Sequence, residues 1–141
     1  MIARFIFSLF SILLAVSSYS QESIFGKWKT VDDETGKVKS IVEILSEGDK
    51  ASGKVLELFR EEGEDPDPIC EECSGKRKNE KIIGMQIIED LEKDGDEWSG
   101  GEILDPENGK IYRCKIWREG ENLKVRGYLY FFYRTQTWLP L

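Results

Sequence analysis

The residues with the most chemistry in them are Cys70 and Cys73, spaced as Cys-Glu-Glu-Cys, with a third cysteine, Cys114, far along the chain. Two thiols at this spacing can close a short disulfide, work as a redox couple, or supply half of a zinc site. A redox couple is normally set at a helix N-terminus, where the dipole favours thiolate; here Glu71 and Glu72 place negative charge between the sulfurs. Zinc would need two more ligands of cysteine or histidine type, and the chain has no histidine at all. A structural Cys70–Cys73 disulfide is therefore the favoured reading, with redox and metal roles behind it. Cys114 shares an apolar face with Tyr112 and Ile116, the pattern of a buried free thiol that fills core volume.

Carboxylates are the other candidates. Asp32-Asp33, Glu61-Glu62 and Glu71-Glu72 all fall in polar, turn-like stretches. General acid–base work needs one member of such a pair desolvated, and an exposed loop leaves both solvated. With no histidine there is no His-based triad, general base or metal ligand. The expectation is a protein that is not an enzyme and carries no cofactor. The formal charge of −7 argues against nucleic acid and anionic membrane surfaces as partners, since both select clustered Lys and Arg.

Residues 1–20 have the form of a secretory signal peptide: Arg4, an apolar run from Phe5 to Val16, then Ser17-Ser18-Tyr19-Ser20 before a cut. The apolar run is shorter than the roughly 20 residues a membrane helix needs. The expected product is residues 21–141, one domain, exported to the periplasm or beyond, with no integral membrane segment.

Within 21–141, strand signals recur roughly every 8 to 15 residues and no helical period is sustained, the pattern of an all-β sandwich or barrel. The runs are Ile24 to Val31, Val38 to Ser46, Ala51 to Arg60, Ile82 to Asp90, Glu97 to Leu104, Lys110 to Trp117, Leu123 to Tyr130 and Tyr133 to Trp138. Polar turns separate them, of which Asp105-Pro106-Glu107-Asn108-Gly109 is the strongest. The exception is Glu61 to Lys81, a long acidic segment holding Pro66, Pro68 and both loop cysteines; loops of about 20 residues tend to be lids or binding loops. Eight hairpin-linked strands are the number at which a single antiparallel up-and-down β-barrel closes around packed side chains or one small ligand.

The motifs Gly26-Lys27-Trp28-Lys29-Thr30, Cys70-Glu71-Glu72-Cys73-Ser74-Gly75, Ile83-Gly84, Trp98-Ser99-Gly100-Gly101, Asp105 to Tyr112, Leu123 to Tyr128 and Arg134-Thr135-Gln136-Thr137-Trp138 occur in order along the chain. In this the chain resembles the secreted bacterial family known as domain of unknown function 2147. It departs from that family where a last-hairpin glycine is usual and Tyr130-Phe131-Phe132-Tyr133 stands instead. More distantly, an early Gly-x-Trp with an arginine on a terminal strand is similar to lipocalin and streptavidin barrels. That likeness implies an arginine lying over the Trp28 indole to close the barrel floor, with Arg134 first choice and Arg126 second. The expected ligand-facing set is Trp28, Trp98, Tyr112, Arg126, Arg134 and Trp138, around a small apolar or amphipathic molecule. The alternative is an interaction module that holds an envelope protein partner.

Overall fold

The computed structural model describes residues 23–141, so the expected signal peptide lies outside the described residues. The eight strands are β1 (Gly26–Val31), β2 (Val38–Glu47), β3 (Lys50–Leu58), β4 (Gln86–Asp94), β5 (Glu97–Asp105), β6 (Lys110–Glu119), β7 (Asn122–Leu129) and β8 (Phe132–Pro140). Each pairs antiparallel with its sequence neighbour, and β8 returns to β1 to close the barrel. The expected fold class, an all-β up-and-down barrel of about eight strands, is what the chain forms.

Alternation drives the closure. On β6 and β7, Cys114, Ile116, Leu123 and Val125 are buried, while Arg113, Lys115, Lys124 and Arg126 point away from them. One half of the barrel is solid: Trp28, Val42, Ile44, Ala51, Ile88, Leu91, Ile116 and Leu123 form its core.

Close approaches of backbone set the curvature. At β4, Gly53 and Lys54 of β3 face Ile88 and Gln86, so Ile87 is the extra residue of a bulge and both Ile87 and Ile88 are buried. At Asp90, which takes φ of +60°, the β4 backbone presses on Gly101: a Cβ there would lie 2.2 Å from the Glu89 carbonyl oxygen.

The fourth strand starts later than expected. Ile82 to Met85 precede it and are pinned to β3 by Gly84 N–H to the Val55 carbonyl and Val55 N–H to the Met85 carbonyl. Gly84 sits at φ of +90°, which an extended strand does not use, so the ladder resumes only at Gln86. The strand then runs on to Asp94, through residues expected in the turn.

The segment between β3 and β4 is held closely despite its length. It carries the Cys70–Cys73 disulfide, a bridge between Ile69 and Lys81, and a 3-10 turn at Gly75–Arg77. Both sulfurs are buried, with Cys70 against the Pro106 carbonyl. Gly109 is flush against it: a Cβ there would lie 1.9 Å from the Glu72 carbonyl oxygen. The loop is thus clamped to the β5–β6 turn.

Candidate functional site

The other half of the barrel is hollow. A cavity of about 720 Å³ opens at the end where the β1–β2, β5–β6 and β7–β8 connections meet the long loop. Val55, Leu58, Ile87, Ile103 and Val125 give it apolar walls, and Trp138 lies beneath it. Polar groups lie deep in it and charged ones gather at its mouth. Thr30 and Ser40 share a 2.6 Å hydroxyl hydrogen bond, and Gln136 Oε1 accepts from Trp138 Nε1 at 3.0 Å. Gly127 keeps the wall thin, since a Cβ there would meet Tyr112 Cβ at 3.3 Å and Cγ at 3.5 Å.

The mouth is charged and cross-tied. The β1–β2 turn and the start of β2 are joined to three other segments: Arg134 of β8 binds Asp33 at 2.7 Å, Lys39 approaches Glu107 at 3.5 Å, and Lys37 meets Glu61 at 3.0 Å. The Asp33 carboxylate raises the Arg134 pKa by hydrogen bonding and charge, and Lys37 lowers that of Glu61 in the same way. Asp32 is also lowered, because it accepts the Thr35 and Glu34 backbone N–H groups. Between β1 and β8 only Trp28 with Pro140 and Lys29 with Leu139 are paired, so above Lys29 these strands diverge and the Arg134–Asp33 pair spans the slot.

The opposite end is sealed as expected in kind, by a guanidinium over an indole, but the arginine is a different one. Trp28 is buried and donates its Nε1–H to the Ile24 carbonyl at 2.9 Å. Arg118 lies over its ring at 5.0 Å and donates to the carbonyls of Ser23 and Gly120. The expectation of Arg134 or Arg126 in this role is corrected. Arg134 is at the mouth. Arg126 is on the outer surface, stacked between the Trp117 and Tyr133 rings and bonded to Thr135.

The six expected ligand-facing residues therefore separate. Tyr112, Arg134 and Trp138 border the cavity. Trp28 lies in the packed half, and Trp98 sits against Phe25, edge to face at 5.5 Å. Arg126 faces outward, which the alternation of Leu123, Val125 and Gly127 already dictates. Arg118 was missed, although it continues the inward series Tyr112, Cys114, Ile116.

The cysteine chemistry resolves as a buried disulfide and a buried free thiol, Cys114, whose pKa burial pushes up to about 12. Among the described residues, no three His, Cys, Asp or Glu side chains gather in a way that could hold a metal ion. Nor is any helix among them long and apolar enough to cross a membrane.

A closed eight-stranded up-and-down barrel, solid at one end and hollow at the other, is a lipocalin-like fold. The chain belongs to the family described as an uncharacterized protein conserved in bacteria, DUF2147, whose family model matches residues 26–139. Among solved structures it is similar to protein HP1028 from the human pathogen Helicobacter pylori, described as belonging to the lipocalin family. That likeness has a TM-score of 0.71 at 19% identity, covering 84% of this chain and 83% of the other. Comparison with curated proteins gives no match.

Proposed function

We propose that this protein is an exported, non-enzymatic carrier that holds one small apolar or amphipathic molecule in the open half of its barrel. The observation that carries the reading is the cavity of about 720 Å³. Its size falls within the roughly 300–1,000 Å³ typical of small-molecule sites, and apolar walls beneath a polar, charged mouth suit such a ligand. An alkyl or ring portion lies against Val55, Leu58, Ile103 and Val125, and a polar end reaches Gln136, Tyr112 or the charged rim. Export rests on the form of residues 1–20, and the non-enzymatic reading on the chain's lack of histidine and its solvated carboxylates.

The test is uptake of N-phenyl-1-naphthylamine, a probe that fluoresces in apolar surroundings, together with native mass spectrometry of protein purified from its own host. Saturable uptake that Val125→Phe abolishes, in a protein that still unfolds cooperatively, is the expected result. Absence of uptake, or uptake indifferent to a ring placed inside the cavity, would sink the carrier reading.

A further inference from the structure

The β7–β8 hairpin ends in a feature the carrier reading does not use. Tyr130, Phe131, Phe132 and Tyr133 are 91%, 98%, 78% and 63% exposed, in unbroken sequence. Tyr130 takes φ of +53°, a left-handed conformation that costs a non-glycine residue about 1 kcal/mol or more. Tyr133 has Arg126 and Tyr128 against its ring, but Tyr130, Phe131 and Phe132 are bare, and three such rings on a turn that a glycine would relax are a costly thing to present to water.

From this we propose that the hairpin tip docks the barrel, mouth first, on the interfacial layer of a phospholipid bilayer. Three observations select this occupant. The tip is convex and narrow; four aromatic side chains offer less than the roughly 800 Å² per partner of a stable protein–protein interface, but a single loop can sink into a headgroup layer. Its composition fits that layer, with tyrosines flanking phenylalanines as in the aromatic belts of membrane proteins. And the polar partner a headgroup needs is alongside. Behind the tip, on the outer face of β5 to β7, a shallow depression is bordered by Arg113, Tyr128 and Tyr130, with Glu102 level with Arg113 and with Lys115 paired to Glu97 at 2.8 Å. Arg113 is level with Tyr128 in the β6–β7 register, two residues from the tip, where it meets phosphate as the rings enter. Exposed Ile111 and Leu129 continue the apolar surface around it.

Leu129, Phe132 and Tyr133 also border the cavity mouth, so docking brings the opening against the lipid. A sparingly soluble ligand then passes between bilayer and barrel without crossing water. This last step rests on the carrier reading; the docking itself does not.

The test is sedimentation of the purified protein with phosphatidylcholine vesicles. The wild type is expected to partition onto them, and the double variant Phe131→Ser, Phe132→Ser to bind at least about 100-fold more weakly, with its near-ultraviolet circular dichroism unchanged. Arg113→Glu is expected to weaken binding several-fold, and a Phe131→Trp reporter to be quenched by lipid brominated on its acyl chains. Val125→Phe, which blocks the cavity, must leave vesicle binding intact; if it removes probe uptake alone, the two proposals stand or fall separately. Wild type that stays in the supernatant, a double variant that sediments equally well, or an unquenched reporter overturns the docking. So does a lipid-free dimer that the double variant abolishes, which would make the tip a contact between copies of the chain.

Discussion

Exchanging the two arginines' roles gives a direct measure of which one closes the barrel. Replacing Arg118 with Met keeps the apolar stem and deletes the guanidinium over Trp28, with its bonds to the Ser23 and Gly120 carbonyls. A cation over an indole is worth about 0.5–2 kcal/mol. The two charge-assisted hydrogen bonds would add about 1.5–3 kcal/mol each if buried, but they lie near the surface, where solvent replaces most of that. A net loss of about 2–3 kcal/mol follows. For a domain of about 120 residues one kcal/mol is worth roughly 4 °C, so the midpoint should fall by about 8–12 °C. Arg134→Met removes an exposed pair with Asp33, worth about 0–1 kcal/mol, or at most about 4 °C. Thermal unfolding of both variants, followed by near-ultraviolet circular dichroism, makes the comparison. A larger drop for Arg134→Met, or none for Arg118→Met, would refute the assignment of the floor.

Other expectations are as direct. Gly101→Ala places a Cβ into the backbone of Glu89 to Leu91, which cannot rotate away, and should cost about 2–4 kcal/mol in urea unfolding; a midpoint unchanged from wild type would mean that the bulge at Asp90 gives way freely. Ellman's reagent at pH 8 should find no thiol in the native oxidised protein, one after unfolding, and three after unfolding and reduction; a reactive thiol in the native state would place Cys114 at the surface or mean that Cys70 and Cys73 are not joined. The Asp32 and Glu61 pKa values lie below their ordinary 3.8 and 4.5, so their stabilising effect is complete above those values and is lost as pH falls through the lowered ones. Acid should thus free the β1–β2 turn before the barrel unfolds. The exchange rates of the Glu34 and Thr35 amides, corrected for intrinsic pH dependence, report it; protection retained until global unfolding would count against the rim ties.

Much of this was legible in the chain. Cys114 with Tyr112 and Ile116, and Leu123 with Val125 and Gly127, announced their inward faces by alternation alone, and the Asp105 to Gly109 turn by its chemistry. Ile82 to Met85 was misread as strand because apolar content without period cannot separate a ladder from a pinned turn. The same alternation also held information about the site that was passed over. It directs Arg118 inward after Ile116, and Arg126 outward between Val125 and Gly127, in agreement with the barrel.

The sequence by itself determined the number and order of the strands, the faces they bury and the short disulfide, because each depends on residues near one another in the chain. Tertiary structure alone decided which guanidinium meets the Trp28 indole, since β1 and β6 become neighbours across the floor only when the sheet has closed. It also decided that half of the interior is empty. That outcome reflects the summed volume of side chains from every strand, set against a radius fixed by strand number, stagger and the bulges at Ile87 and Asp90.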